Sequence, residues 1–308
     1  MRCGAPSSGC SSVIDFINLY LVPGLTIGSV YALGAVGISM IFGILRFAHF
    51  AHGDLMTIGG YGVLTAVWFI PLHPLLLLPV GMALAIGAAL AVDEFFYKPL
   101  RKLPTIYTVI ASFGVALIFR SLAQLFWSSG NQVFVSGVRP PMVFFDTFRI
   151  SELHLQVIIL TLIIAVALHF FLTRSKLGRA MRAVSDEPEL AAVAGLDTER
   201  VVRWTWVIGA ALAATAGVFA GMDTSMHPNL GWNLLLAMFA AAVLGGIGKP
   251  MGAIADGLII GIAEETATFT WLSDEPLISP SYKSAVAFFI MVALLLFRPQ
   301  GLFKGRLL

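Results

Sequence analysis

Nine long apolar runs divide this sequence, and most of them are free of charged residues. They lie at about 21–45, 53–71, 75–95, 106–127, 155–172, 204–222, 234–247, 252–271 and 284–297. The runs are apolar on all sides rather than along one stripe, so each is either a core helix or a membrane span. A helix that crosses a bilayer needs about 20 apolar residues. Nine such runs do not fit inside one soluble core, so we expect a membrane protein.

The scarcity of charge supports the same conclusion. Only 12% of the residues are Asp, Glu, Lys or Arg, whereas a soluble domain carries about 25%. That composition excludes a water-soluble globule, and the high hydrophobicity excludes a disordered chain. We predict an all-α, polytopic integral-membrane helical bundle with about eight or nine spans, some of them broken or re-entrant. The run at 234–247 is short for a crossing, so it is either re-entrant or a tilted span in a thinned bilayer.

The chain is predicted to have a polar head at 1–20 and one transmembrane domain at 21–308. Both cysteines, Cys3 and Cys10, lie in the head, and we interpret them as incidental rather than as a disulfide framework. The head carries one basic residue before a long glycine-rich run, which is not the pattern of a signal peptide.

Basic residues predict the orientation of the spans. In an arrangement with nine crossings, 14 of the 19 Lys and Arg residues fall on one side of the membrane. Because cytoplasmic loops are enriched in Lys and Arg, the C-terminus and the loop at 174–203 are predicted to be cytoplasmic. The N-terminus is then outside, or inside if one short segment does not cross.

The loop at 174–203 is the one strongly polar part of the chain. It holds 11 of the 36 charged residues in the whole sequence. The stretch Ser185–Pro188 is typical of a helix start, the residues to Ala194 continue that helix, and Gly195 is expected to stop it. Asp197 or Thr198 then caps the next helix. Two interpretations remain: a short helix that docks into a groove of a soluble partner, or a solvated loop. The apolar stretch after Glu189 favours docking, because a free loop gains nothing from exposing it.

Three GxxxG pairs predict helices that approach each other closely, since lipid offers little hydrophobic drive for association. The pairs are Gly24/Gly28, Gly217/Gly221 and Gly257/Gly261.

Several segments together resemble one family. The loop segment Gly178–Val201 resembles the cytoplasmic coupling loop of permeases of ABC importers of the high-affinity branched-chain amino acid type. The similar stretches elsewhere are 24–33, 50–54 (Phe-Ala-His-Gly-Asp), 228–231, 241–248, Glu264 and 297–302, the last being a C-terminal signature. They extend over about 20–304 in the family's order, which is more specific than any single motif.

The resemblance implies a permease subunit of a bacterial inner-membrane importer, without a cofactor and without enzymatic activity of its own. Such a subunit pairs with a second, related permease, two cytoplasmic ABC ATPases and an external solute-binding protein. It implies that the coupling segment enters a groove of one ATPase. The predicted coupling contacts are Arg182, Asp186, Glu187, Glu189 and Gly195.

No nucleotide-binding motif is recognisable in the sequence. Lys249 follows Gly248, but a Walker A loop needs Gly where Val243 stands and Ser or Thr where Pro250 stands. Energy is therefore expected from a partner ATPase or from an ion gradient. The net charge of +2 does not indicate a nucleic-acid partner.

Polar residues inside apolar runs are costly in a bilayer and are functional candidates. His49, His52 and Asp54 form the densest group, in a glycine-interrupted stretch between two runs. Either they belong to the translocation pathway, since broken helices line cavities, or they form a structural turn in which the histidines bond backbone carbonyls. A metal site is not predicted there, because a His-x-x-His pair needs more ligands than Asp54 supplies.

Glu264 is the fourth predicted pathway residue. Its neighbour Glu265 points about 100° away on a helix, so only one of the two is expected to face the pore or a neighbouring helix. Asp256, two turns earlier, is placed to share the face of Glu264.

Two further polar features lie outside these groups. Arg120 lies near the predicted outer end of its span and is expected to snorkel to the interface. Asp223, His227 and Asn229 follow the sixth run, either at the pore mouth or in a solvated loop.

Two departures from the family pattern affect the substrate assignment. His49 stands where the family usually has Asn, and Asp256 where it has a small residue. The resemblance implies that the same architecture also serves the import of urea or another small organic acid or amide, so these substrates remain alternatives. A less favoured alternative is an ion-coupled carrier that uses the buried acids and histidines as a relay. An intramembrane enzyme is not favoured, because no nucleophile–base pair lies at useful spacing.

Overall fold

The computed structural model describes residues 16–134, 142–144, 148–269, 278–279 and 282–297. Three sequence predictions therefore fall outside the described residues. They concern the two cysteines with most of the polar head, the C-terminal signature beyond Phe297, and the direction of the C-terminus.

Each apolar run contains a helix, and two further helices lie in the polar loop at 174–203. They are, in chain order, α1 (Val22–Leu45), α2 (His52–Phe69), α3 (Leu78–Val92), α4 (Thr105–Trp127), α5 (Glu152–Arg174), α6 (Lys176–Asp186), α7 (Pro188–Val193), α8 (Thr198–Asp223), α9 (Leu230–Leu244), α10 (Pro250–Thr266) and α11 (Lys283–Phe297). A π-helical turn (Ile17–Leu21) leads into α1. Another (Asp93–Tyr97) continues α3 into a last turn at Lys98–Leu100.

Five helical segments among the described residues are long and apolar enough to cross a membrane. They are Ile17–Leu45, Leu78–Leu100, Thr105–Trp127, Glu152–Arg174 and Thr198–Asp223. Helices α9 and α11 are apolar but shorter. The membrane-type helical bundle is confirmed, whereas the count of eight or nine spans stays a prediction.

The described residues are nearly all helical, as predicted, and a small antiparallel sheet is the exception. Strand β1 (Met142–Phe144) pairs with β2 (Phe148–Ile150), in the register Met142↔Ile150 and Phe144↔Phe148. The segment is short and rich in aromatic and β-branched residues, which favour extended backbone. It lies between α4 and α5, outside the apolar runs, so the bilayer does not require it to be helical.

The predicted close helix packing is confirmed where two of the GxxxG pairs meet. Helices α1 and α10 pack against each other through them. A Cβ added at Gly28 would lie 2.9 Å from Leu258 Cα, and one added at Gly257 would lie 2.5 Å from Ala32 Cα. No side chain larger than hydrogen fits at either position without moving backbone, so this helix pair depends on its glycines.

Candidate functional site

Helix α6 begins the polar loop and is anchored along one face. The Ser175 hydroxyl accepts a hydrogen bond from the backbone N–H of Gly178 at 2.8 Å, which caps the helix. The buried residues of α6 are Gly178, Met181 and Val184, spaced three apart on one side. Arg182 and Asp186 lie on the exposed side, one turn apart. The helix is therefore fixed to the membrane helices while its charged face stays open.

Helix α7 has the start and stop that its residues predict. Pro188 occupies its first turn, and Gly195 follows its end with a φ of +81°, a left-handed conformation that favours glycine. The carboxylate of Asp197 accepts a hydrogen bond from the N–H of Arg200 at 3.0 Å and so caps α8. Of the two predicted caps, the structure uses Asp197.

The apolar residues of α7 point mostly away from the protein. Leu190 is 67% exposed and Val193 is 87% exposed, whereas Ala191 is buried. All five predicted coupling residues, Arg182 and Asp186 on α6 with Glu187, Glu189 and Gly195 around α7, are also exposed. The loop thus presents an apolar spot rimmed by charges, which is the usual composition of a protein-docking surface.

His49 lies in an aromatic cluster at the break between α1 and α2. Its Nε2 is 3.0 Å from the Tyr97 hydroxyl, and its ring meets the Trp206 ring edge-on at 4.9 Å. Tyr97 and Trp206 stack at 5.4 Å, and all three side chains are buried. This environment favours a structural turn, although the partner of His49 is a hydroxyl rather than a backbone carbonyl.

His52, in the first turn of α2, is fully buried against α1. A Cβ at Gly37 would lie 2.6 Å from its Cε1 atom, so Gly37 provides the space that the imidazole occupies. The two histidine rings are 6.0 Å apart and meet at a steep angle. Among the described residues, no group of three or more His, Cys, Asp or Glu side chains is placed to hold a metal ion.

Asp54 forms a bidentate ion pair with Arg120, which corrects the expectation that Arg120 snorkels to the interface. Arg120 Nε and Nη2 each donate to a carboxylate oxygen of Asp54 at 3.1 Å. The guanidinium also lies over the Trp232 ring, 4.6 Å from its centre. A partner carboxylate on the neighbouring helix offers the guanidinium a charge-assisted bond inside the bundle, so the side chain need not reach water.

The ion pair is the point at which the buried polar residues approach the protein surface. Asp54 is 1% exposed, the Arg120 side chain 16% and Trp232 39%. Phe50 and Phe113, stacked at 4.1 Å, extend the aromatic surface next to Trp232. Sequence reasoning did not predict this group. The signal in the sequence was that Asp54 and Arg120 are each the only charged residue in their apolar run, and that their charges are opposite.

Glu264 and Glu265 point in different directions, as their spacing predicts. Glu264 is buried and accepts a hydrogen bond from the Tyr31 hydroxyl at 2.7 Å. Glu265 forms an ion pair with Lys283 at the start of α11. Asp256 is buried like Glu264, and neither of its carboxylate oxygens has a hydrogen-bond partner among the described residues.

A cavity of about 360 Å³ lies where α4 and α8 end and α5 begins. Asp223 lines it and is 3.2 Å from His154 Nε2 on α5. His227 instead turns to its own loop, with Nδ1 3.3 Å from the Ser225 carbonyl oxygen. The predicted group is therefore divided, and only Asp223 faces this cavity.

Residues 20–295 match the family model described as branched-chain amino acid transport system / permease component. The chain is 32% identical over 295 residues to the high-affinity branched-chain amino acid transport system permease protein BraD of Pseudomonas aeruginosa. That alignment covers 92% of this chain and 94% of the relative. This chain is also 34% identical over 292 residues to the permease LivH of Escherichia coli. That alignment covers 91% of this chain and 92% of LivH.

The fold is also similar to that of a solved structure, an inward-facing conformation of a proposed metal-chelate type ABC transporter. The TM-score is 0.53 over 97% of this chain and 92% of that chain, at 15% identity. At that identity the likeness concerns the fold alone.

Proposed function

The chain belongs to the family of branched-chain amino acid transport permeases, and we propose that it forms half of the membrane pathway of an ATP-driven importer. In this proposal a second, related permease forms the other half. Two cytoplasmic ABC ATPases supply energy, and an external solute-binding protein delivers the substrate. The subunit lies in a bacterial inner membrane with its C-terminus in the cytoplasm, and an amino acid with a branched apolar side chain is its substrate.

The observation that carries the proposal is the exposed apolar spot on α7. Leu190 and Val193 project from a short helix that is fixed at both ends, by α6 before it and by the Asp197 cap after it. A rigid apolar projection fits a preformed groove without a large loss of conformational entropy. The surrounding charges of Arg182, Glu187 and Glu189 are placed to select the partner.

Helix α7 is suited to carry motion as well as to bind. It is joined through α6 to α5 on one side and continues into α8 on the other, with only short connections. A displacement of α7 by the ATPases is therefore transmitted to two membrane helices as a rigid-body movement. This is the step that would switch the pathway between outward and inward access.

Of the four predicted pathway residues, Asp54 has the strongest support. Its partner Arg120 reaches the chain surface beside Trp232, on a face that is not covered by the described residues. An arginine neutralised by one buried carboxylate retains donors for a substrate carboxylate. His49, His52 and Glu264 are buried within the chain, so in this proposal they support the helices around the pathway rather than contact substrate.

The docking role is tested by changing the apolar spot to acid. We expect the double variant Leu190→Asp and Val193→Asp to lower ATPase co-purification and ATP-driven uptake at least tenfold, about 1.4 kcal/mol of binding free energy or more. The yield and melting temperature of the permease should not change, because both side chains are exposed. Pull-down of the ATPases and uptake of radiolabelled L-leucine into proteoliposomes measure the two effects.

Leu103→Asp is the matched control, since Leu103 is 49% exposed in the loop between α3 and α4. This variant should retain both association and uptake. Full ATP-driven uptake in the double variant would remove the docking assignment. Uptake that persists after ATP depletion would reject the importer itself.

A further inference from the structure

Helix α4 turns two ridges of opposite polarity away from the protein. Residues that are three or four positions apart lie on the same ridge of a helix. The first ridge is exposed or half-buried and mostly polar, and its members are Leu117, Arg120, Ser121 and Gln124. The second ridge is exposed and wholly apolar, and its members are Ile118, Leu122 and Leu125. One helix therefore meets two different surroundings.

The polar ridge lies at membrane depth. Helix α4 has 23 residues, and Arg120 lies about 10 Å along the axis from the end of the helix at Trp127. The hydrocarbon core of a bilayer is about 30 Å thick, so this position is below the headgroups. A charged side chain that faces lipid at such a depth is costly. We therefore expect water or a polar molecule, rather than lipid, beside this ridge.

Arg120 can bind a further group without leaving Asp54. Its Nε and Nη2 atoms donate to the carboxylate of Asp54, whereas Nη1 has no acceptor among the described residues. Gln124, one turn further along the ridge, is exposed and makes no hydrogen bond in the described part of the chain. Its amide has both a donor and an acceptor. The ridge thus offers hydrogen bonds of both kinds, while Asp54 keeps it free of net charge.

An aromatic strip adjoins the polar ridge. The Trp232 ring, on α9, lies beside the Arg120 guanidinium, and the Phe113 ring is 6.3 Å from that of Trp232. Both rings are 39% exposed, and Phe50 holds Phe113 from behind by stacking. Polar and aromatic groups side by side match a molecule with one polar end and one apolar end.

We propose that this surface, which we call the substrate face (Phe113, Leu117, Arg120, Gln124 and Trp232), lines the translocation pathway and contacts the amino acid directly; this rests on the proposed function. The carboxylate of the amino acid accepts a hydrogen bond from Arg120 Nη1, and its ammonium donates to the amide oxygen of Gln124. Its branched side chain lies against the rings of Phe113 and Trp232. A zwitterion brings no net charge, which suits a face whose one cation is already neutralised.

Reaction with a membrane-impermeant methanethiosulfonate tests which ridge meets water. The test uses the complete importer in nanodiscs, which leave both sides of the membrane open, in a Cys3→Ser, Cys10→Ser background. Leu117→Cys on the substrate face should react about tenfold faster than Ile118→Cys on the apolar ridge, because the reactive thiolate needs contact with water. Leu162→Cys, as exposed as Leu117 and equally central in its helix α5, should react as slowly as Ile118→Cys.

Protection by substrate tests the contact itself. L-leucine at ten times its dissociation constant, added with the binding protein, should slow the reaction of Leu117→Cys about tenfold. The binding protein alone should not. Trp232→Leu keeps an apolar side chain but removes the ring, and should raise the L-leucine concentration for half protection about fivefold. Trp68→Leu, exposed at the end of α2, is the control and should not. If Trp232→Leu lowers the yield, Phe113→Leu replaces it.

Two outcomes would overturn the inference. Equal, slow reaction of Leu117→Cys and Ile118→Cys would mean that lipid or the second permease covers the substrate face. Fast reaction of Leu117→Cys that L-leucine does not slow would mean that the face meets water but not substrate. The labelling needs no ATP, so failure of the proposed function is seen separately. A wild-type importer without ATP-driven uptake of L-leucine would reject that function, whatever the labelling rates.

Discussion

Helices α8 and α5 are both apolar, yet they occupy opposite environments. The segment Thr198–Asp223 has a mean hydropathy of 1.6 and is 78% buried over its most apolar window. The segment Glu152–Arg174 has a mean hydropathy of 2.6 and is only 28% buried. The less apolar helix is thus the one inside the protein.

Residue size explains this difference. The buried positions of α8 are mainly glycine, alanine and threonine, whereas the large residues at the outward positions of α5 are leucine, isoleucine, valine and phenylalanine. Lipid tails are as apolar as a protein core, so hydropathy does not drive a helix inward once it is in the membrane. Close packing and hydrogen bonds between helices hold a helix in the protein interior. Small side chains favour both, because they let the helix backbones approach closely. Three pairs of variants test this contrast between interior and outward helices.

The largest effect is expected from filling a glycine contact. Gly28→Leu pushes a side chain into the backbone of α10 and should abolish most of the folded yield. Gly114→Leu is the matched change on the outward helix α4, where an added Cβ meets no described atom within 4 Å. It should leave the yield and the melting temperature nearly unchanged, as measured by size-exclusion chromatography after heating. An equal loss in both variants would mean that α4 also packs closely against another helix.

The next effect is expected from the buried ion pair. Arg120→Leu leaves the Asp54 carboxylate without its partner and should lower the free energy of unfolding by about 3–5 kcal/mol. Lys98→Ala removes an ion pair with Glu94 in which both side chains are exposed, and should leave the free energy of unfolding nearly unchanged. Reversible unfolding in mixed detergent and SDS measures both. Adding Asp54→Leu to Arg120→Leu should restore part of the loss, and no recovery would contradict the pairing.

The smallest effect is expected from a single hydroxyl. Tyr31→Phe removes the hydrogen bond to Glu264 between α1 and α10 and should cost about 1–3 kcal/mol. Tyr107→Phe on α4 is the control, because Tyr107 is exposed. It should be neutral within about 0.5 kcal/mol in the same unfolding assay. A neutral Tyr31→Phe would show that this buried bond adds nothing to the packing of the two helices.

Local features of the fold were predictable from the sequence. The nine helical runs, the stop at Gly195 and the cap at Asp197 each depend on a few neighbouring residues, and the structure contains all of them. The short sheet was missed, since a brief run of aromatic and β-branched residues carries little periodic signal beside such long helices.

The candidate site residues also divide into those that the local sequence predicts and those that it does not. The exposure of Arg182, Glu187 and Glu189 follows from the local polarity of their loop, and the structure agrees. The partner of Arg120 was not predictable, because Asp54 is 66 positions away and the pairing exists only after α2 and α4 pack. The coupling and pathway roles of these residues stay predictions until the variants are measured.

The sequence by itself determined that this chain is a helical membrane protein, where its helices lie and to which family it belongs. Those properties depend on apolar runs, local caps and ordered motifs, which are all written along the chain. Only the tertiary structure decided which helices are interior, that Arg120 turns inward to Asp54, and that Trp232 lies beside its guanidinium. The physical reason is that lipid and protein interior are equally apolar, so the choice between them is made by packing and pairing between distant segments.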